Sequence, residues 1–226
     1  MRTALGVILL IIAASATHAA TINLDFEGVN ATYPSGFAFV DEFYNGGTSS
    51  DGTSGTNFGV AFSSNAQAIC LNSLTVNCSN TSRGGQGFPN SGQGGLFFLT
   101  ATETFLNVAA GFDTGFSFFY TAIRQTGSVE VYDGIDGTGT LLATLALGLT
   151  PSNCAAGYNA EFCPFVATGI AFSGTAKSVS FAGVANQILF DDVTFGSVIP
   201  IPIPAAVWLF GSGLGLLGWI RRRQTA

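Results

Sequence analysis

The stretch GFDTGFSFFYTA, residues 111–122, alternates aromatic side chains with small or polar ones. Successive side chains of a β-strand point to opposite faces of the sheet, so a repeat of two indicates a strand with one buried face. We predict that the core face carries Phe112, Phe116, Phe118 and Tyr120, and that the outer face carries Asp113, Ser117 and Thr121. The stretch therefore indicates a sheet that covers an aromatic core.

The same period of two recurs along most of the chain. The further segments that share it are TINLDFE (21–27), GSVEVYDG (127–134), GTLLATLAL (139–147), FVATGIAFSG (165–174), KSVSFAG (177–183) and NQILFDDVTFG (186–196). No comparable helical period appears before residue 198. Residues 21–197 are therefore predicted to form an all-β ectodomain, a jelly-roll-like β-sandwich of about eight to twelve strands, with a closed barrel as the alternative.

Residues 45–95 have a different composition. They are rich in Gly, Ser, Asn and Thr and are interrupted by short apolar pieces, VAF at 60–62 and AICL at 68–71. Loops of this length in a compact domain are usually functional or mobile. We therefore predict long surface loops here.

The charge of the predicted ectodomain excludes a nucleic-acid function. Arg83, Arg124 and Lys177 are its only basic residues, against 13 acidic residues in the whole sequence. A run of phosphates needs several lysine or arginine side chains to neutralise it. No nucleic-acid partner is expected.

The first twenty residues, MRTALGVILLIIAASATHAA, have the pattern of a secretory signal peptide. Arg2 precedes an apolar run at 4–14, and small residues follow that run. This order of charge, apolar core and small residues is typical of a segment that is removed after export. Cleavage is expected after Ala16, Ala19 or Ala20, so the ectodomain should lie outside the cytoplasm.

The other end of the chain, residues 198–226, is predicted to hold a membrane helix at about 204–220. The uncharged run at 205–220 would give ~24 Å of helix, slightly less than the ~30 Å hydrocarbon core. Proline favours an extended segment before the helix, and tryptophan and arginine favour the two membrane boundaries, with arginine on the cytoplasmic side. The residues that carry these signals are Pro200, Pro202, Pro204, Trp208, Trp219, Arg221, Arg222 and Arg223.

The run PIPAAVWLFGSG at 202–213, with the apolar stretch and arginine cluster after it, resembles the PEP-CTERM sorting signal of Gram-negative bacteria, in its VPLPA-like variant. Ile201 and Ile203 stand between the prolines, where the Pro-Glu-Pro form has glutamate. The resemblance implies cleavage by an exosortase-type membrane protease in species that also export polysaccharide. It implies an inner-membrane-anchored intermediate with a periplasmic body, followed by release to the cell surface or extracellular matrix.

Parts of the ectodomain are similar to PEP-CTERM surface proteins as well. The segments at 43–66, 131–145 and 172–197 resemble stretches shared among such proteins that have no assigned activity. The resemblance implies no catalytic residue. It favours a non-catalytic surface or matrix protein associated with exopolysaccharide or biofilm.

The cysteines indicate disulfides. Four cysteines in an exported chain are typical of two bridges, whereas a metal cluster would need two-residue spacings and histidine. Four cysteines allow three pairings, and the short separations favour bridges within each pair. The expected bridges are Cys70–Cys78 and Cys154–Cys163.

The sequence argues against catalysis. His18 is the only histidine and lies in the predicted signal peptide, so a mature Ser-His-Asp or Cys-His site is excluded. No phosphate-binding or dinucleotide-binding motif is present. A glycoside hydrolase needs only two carboxylates and remains a remote alternative. Its candidates are Glu42, Glu103, Glu130 and Glu161, which nothing in the sequence pairs.

A calcium site is predicted where the two ends of the ectodomain meet. The first and last strands of a jelly roll commonly lie side by side, which would bring Asp25 and Glu27 close to Asp191 and Asp192. The alternation breaks at those two aspartates, so one of them should be buried or lie on a bulge. A buried carboxylate needs a partner, and calcium prefers oxygen ligands. The alternative is an aspartate that accepts hydrogen bonds from loop N–H groups.

Calcium would suit a second class of function, a calcium-dependent carbohydrate-binding, lectin-like module. Such a module should expose aromatic side chains on which a sugar can stack. The candidates lie in or beside the glycine-rich loops and are Tyr44, Phe58, Phe88, Tyr132 and Tyr158.

Overall fold

A computed structural model describes residues 22–31, 36–71, 93–122, 124–151 and 164–199. These residues form twelve β-strands and one short 3-10 helix. The strands are β1 Asn23–Leu24, β2 Phe37–Phe39, β3 Val60–Phe62, β4 Ala66–Cys70, β5 Gly94–Phe98, β6 Glu103–Phe112, β7 Gly115–Thr121, β8 Gly127–Tyr132, β9 Leu141–Leu147, β10 Val166–Ala171, β11 Ala176–Ala182 and β12 Leu189–Phe195, and the 3-10 helix is Phe43–Asn45. The two apolar pieces predicted to interrupt the loops are strands, β3 and β4.

The strands form two antiparallel sheets, as expected for a β-sandwich. The larger sheet has the order β10-β7-β12-β5-β4-β2, with β1 also paired to β12, and the smaller sheet has the order β3-β6-β11-β8-β9. The main core lies between the inner faces of these two sheets. The prediction of an all-β fold with two packed sheets is confirmed.

The aromatic stretch at 111–122 joins the two sheets. It leaves the smaller sheet with β6, turns at Asp113 and Thr114, and continues as β7 in the larger sheet. Phe116 and Phe118 are fully buried between the sheets. Ser117 and Thr121 were predicted to face outward, but they are also fully buried.

A second apolar cluster covers part of the outer face of the larger sheet. Its buried members are Ile69, Leu71, Phe97, Phe165 and Leu189. Most strands of the larger sheet therefore have apolar surroundings on both faces, which alternation alone did not predict.

A bulge interrupts β12 at the two aspartates. Asp191 pairs with Phe119 of β7, and the next pair is Thr194 with Ser117, so the register shifts by one residue. Asp192 has a φ of 49°, in the left-handed region. The Asp191 Oδ1 atom accepts the Asp192 N–H at 2.7 Å, and both residues are fully buried. The predicted break in alternation is confirmed, and its form is a bulge.

The two ends of the described body lie side by side. β1 pairs with β12 through Asn23 opposite Thr194 and Leu24 opposite Val193. The prediction that the first and last strands are neighbours is confirmed. Because these two strands are antiparallel, the start of β1 lies next to the end of β12 in the larger sheet.

Several predicted features lie outside the described residues. They are the signal peptide at 1–20, the membrane helix at about 204–220, the tail residues Pro200, Pro202, Pro204, Trp208, Arg221, Arg222 and Arg223, and the cysteines Cys78, Cys154 and Cys163. Among the described residues, no helix has the length and apolar character needed to cross a membrane. Cys70 forms a disulfide, as predicted, but its partner lies outside this part of the chain, so the pairing stays a prediction.

Candidate functional site

A cleft of about 270 Å³ opens beside β1. One wall carries polar side chains from β1 and the residues that follow it, and the other wall comes from the 3-10 helix and the loop before β3. The lining residues are Asn23, Asp25, Glu27, Phe43, Tyr44, Gly55, Thr56 and Phe58. The cleft thus combines two carboxylates with three aromatic rings, and none of the described lining residues is a lysine or an arginine.

The backbone at Phe26 places the two carboxylates at the cleft. Phe26 has a φ of 57°, which is unusual for a bulky residue and costs about 1–3 kcal/mol. Its ring is fully buried, with edge-to-face contacts to Tyr44 and Phe62 at centroid distances of 6.0 and 5.9 Å. Its N–H donates to the Tyr44 hydroxyl at 2.8 Å. Asp25 and Glu27, on either side of this anchored ring, face the cleft.

Hydrogen bonds hold the Asp25 carboxylate in place. Its Oδ1 accepts the Glu27 N–H at 3.1 Å, and its carboxylate also bonds to the Tyr44 hydroxyl. Burial raises the pKa of Asp25 above its ordinary value, and these hydrogen bonds offset part of that rise. Tyr44 therefore links the core, through Phe26, to the carboxylate of the cleft.

Glu27 is bound by backbone from a distant part of the chain. Its Oε1 accepts the N–H groups of Gln93, at 2.5 Å, and of Gly94, at the start of β5. Burial raises the pKa of Glu27, the two N–H groups lower it, and the negative charge of Asp25 raises it further. The two carboxyl groups therefore interact, and each keeps its proton to a higher pH than an exposed carboxyl would.

The aromatic wall is tightly packed. Phe43 and Tyr44 meet at a centroid distance of 4.8 Å, and Tyr44 and Phe58 are stacked at 6.2 Å. A Cβ at Gly55 would lie 2.3 Å from the Phe43 ring, so only glycine lets the loop approach this closely. Tyr44 is buried, whereas Phe58, which also lines the cleft, is half-buried.

Of the other predicted sugar platforms, Tyr132 lies elsewhere. It is at the end of β8, where its hydroxyl donates to Glu130, and this bond raises the pKa of Tyr132 to about 12. Phe88 and Tyr158 lie outside the described residues. Among the described residues, Phe58 is therefore the predicted platform that the cleft can present to a ligand.

The predicted calcium ligands are only partly brought together. Asp25 and Glu27 line the cleft, and Asn23 connects it to the bulge because its Nδ2 donates to Asp192 Oδ1 at 3.2 Å. Asp191 instead accepts a neighbouring N–H, which is the alternative role foreseen for one aspartate. Across the part of the chain that the structure describes, no three acidic, histidine or cysteine side chains form a metal-binding group, so calcium stays a prediction without a ligand cluster.

The carboxylates named for a glycoside hydrolase have local partners. Glu103 accepts the Ser180 hydroxyl at 2.6 Å, Glu42 accepts the Asn45 amide at 2.7 Å, and Glu130 accepts the Tyr132 hydroxyl. Glu161 lies outside the described residues. Among the described carboxylates, Asp25 and Glu27 share the cleft, and the sequence signal for this was their spacing of two in a predicted strand.

The chain matches no family model and no curated protein sequence.

Proposed function

We propose that this protein is a non-catalytic exported protein of the cell surface or extracellular matrix. Residues 1–20 direct its export, and residues 198–226 act as a PEP-CTERM-like tail whose helix holds an inner-membrane intermediate. An exosortase-type protease then cuts near residues 200–204, and the jelly-roll-like body joins exported polysaccharide or biofilm. The main support is the resemblance of residues 198–226 to the PEP-CTERM sorting signal.

The structural observation that supports it is the closure of the body before the tail begins. β1 and β12 pair with each other through residues 23–24 and 193–194. The described core contains no residue later than Phe195. The described sheet pairings and core contacts are thus made without residues 200–226, and we expect the sandwich to keep them when the tail is removed.

Intact-mass analysis tests the sorting step. In cells that have an exosortase, we expect the mature protein to lack residues 205–226 and to be released from the inner membrane. In cells without the enzyme, it should keep Ala226 and remain in the membrane fraction. Replacing Pro200, Pro202 and Pro204 with alanine should reduce release, whereas Gly148→Ala, at an exposed loop, should not. A C-terminus at Ala226 in both backgrounds would reduce the tail to an ordinary anchor.

The cleft supports a second candidate function, carbohydrate binding. Carboxylate oxygens accept hydrogen bonds from sugar hydroxyls, and the exposed part of Phe58 offers a stacking surface. The volume of about 270 Å³ suits one sugar ring rather than a long chain. With two acids in the described lining, the site favours neutral or amino sugars over acidic ones.

Binding to the host's own polysaccharide and to a glycan array tests this second function. Phe58→Ala should weaken binding about two- to tenfold, the effect of losing one aromatic contact. Phe39→Ala is the matched control, because Phe39 is an exposed phenylalanine of β2 outside the cleft lining. Loss of binding with a chelator would indicate calcium dependence. Absence of any glycan binding would remove the lectin-like candidate, and newly formed reducing ends would contradict the non-catalytic proposal.

A further inference from the structure

The chain that leaves β12 crosses the outer face of the larger sheet over two glycines. It turns at Gly196, whose φ is 77° and whose N–H donates to the Gly115 carbonyl at 3.0 Å. Gly115 begins β7, and Gly169 lies in the adjacent strand β10 opposite Ser117. Because Phe116 and Phe118 point into the core, Gly115 and Ser117 face outward on the same strand. We call residues 196–199 the tail root.

The two glycines make room for the tail root. A Cβ at Gly115 would lie 2.6 Å from Val198 Cγ1 and 3.2 Å from Val198 N. A Cβ at Gly169 would lie 2.2 Å from the Val198 carbonyl oxygen. Neither glycine has a left-handed φ, so their strand conformation does not itself require glycine. Glycine inside a strand often marks the close approach of another backbone, and here that backbone is the tail root.

The tail root also forms a hydrogen-bonded turn at its C-terminal end. The Ser197 hydroxyl donates to the Ile199 carbonyl at 2.7 Å and accepts the Ile199 N–H at 3.2 Å. Val198 is 43% exposed and Ile199 is 71% exposed. The chain is therefore held against the sheet at 196–198 and turns toward solvent at 199.

We propose that Gly115 and Gly169 form a seat for the tail root, and that this seat sets where the sorted chain becomes accessible to proteases. The inference rests on the proposed function, because it assigns the seat to the sorting tail. With the root seated, only residues 200–204 separate the body from the predicted helix, a reach of at most about 18 Å. Release of residues 196–199 would extend that reach to about 32 Å and would expose four more residues to cleavage.

Hydrogen exchange of the full-length protein in detergent tests the seat directly. Gly115→Val places a side chain where the three nearest atoms belong to residues 197 and 198, so the root should leave the sheet. We expect amides 196–199 to exchange about tenfold faster, since the Gly196 hydrogen bond is lost. Gly148→Val is the control, because a Cβ there meets nothing within 4 Å. The control should leave exchange at 196–199 unchanged.

A second variant keeps the test decisive if Gly115→Val disturbs β7 itself. Val198→Gly changes only the tail root, and it should also accelerate exchange at 196–199 while β7 and β12 keep their protection. Unchanged exchange at 196–199 in Val198→Gly would overturn the seat. This measurement needs no sorting enzyme, so it is separate from a failure of the proposed function. In exosortase-containing cells, a loosened root should be trimmed back toward Gly196, whereas the natural chain should end beyond Ile199.

Discussion

Replacing Phe181 with alanine is expected to lower the free energy of unfolding by about 3–5 kcal/mol. Phe181 lies in β11 of the smaller sheet and is fully buried. Its ring centroid lies 4.6 Å from Phe190, 5.8 Å from Phe116 and 5.9 Å from Phe118, all in the larger sheet. Alanine would therefore remove the side chain that joins the aromatic residues of both sheets and would leave a cavity between them.

Such a loss is large because small proteins are stable by only about 5–15 kcal/mol in total. Urea unfolding of the released body, monitored by circular dichroism, would measure this loss of stability. Phe39→Ala is the matched control, because Phe39 lies in edge strand β2 and is 37% exposed. We expect that control to cost less than about 1 kcal/mol. Equal losses for the two variants would show that the aromatic contacts between the sheets do not dominate stability.

The sequence predicted this core well where one face of a strand is polar. Val129 and Val131 alternate with Ser128, Glu130 and Tyr132, and the two valines are fully buried while their neighbours are not. The prediction of orientation was incomplete in β7, where Ser117 and Thr121 are as buried as the phenylalanines. Their burial depends on chain that covers the outer face, and no local pattern records such long-range packing.

The candidate site was predictable only in part. The sequence placed Asp25 and Glu27 two residues apart in a predicted strand and so on one face, and both do line the cleft, although they follow β1 and do not lie within it. Their partners were not predictable, because Tyr44 is 18 residues from Phe26 and the N–H groups that bind Glu27 are 66 and 67 residues away. The left-handed φ of Phe26 was equally hidden, since phenylalanine gives no signal for it.

Replacing Tyr44 with phenylalanine is expected to cost about 1–3 kcal/mol, because it removes a buried hydrogen-bond partner. The Tyr44 hydroxyl accepts the Phe26 N–H at 2.8 Å and bonds to the Asp25 carboxylate. Without the hydroxyl, the N–H of a fully buried residue with a strained φ loses this hydrogen bond. The packing of the ring itself should change little, since phenylalanine keeps the same shape.

The cost of Tyr44→Phe should increase with pH, and this dependence distinguishes the carboxylate bond from the Phe26 bond. Burial already raises the pKa of Asp25 in the folded state, and the Tyr44 hydrogen bond lowers it. Removing that bond raises the folded-state pKa of Asp25 further, so the folded protein keeps the Asp25 carboxyl protonated over a wider pH range. The free energy of unfolding of the variant then falls as the pH rises from the unfolded-state pKa of Asp25, about 3.9, through its folded-state pKa. Below that range Asp25 is neutral in both states, and only the Phe26 bond is missing.

Thermal or urea unfolding at about pH 2.5, below the unfolded-state pKa of Asp25, and at about pH 8 would measure the two contributions. Tyr120→Phe is the matched control, because the Tyr120 hydroxyl donates to the Gly148 carbonyl at 3.2 Å and involves no carboxylate. Its cost should be the same at both pH values, since the raised pKa of Tyr120 places its own titration above this range. The cost of Tyr44→Phe should be clearly larger at the higher pH. If the two variants showed the same pH dependence, Tyr44 would be a packing residue, and the cleft would lose its connection between the core and the Asp25 carboxylate.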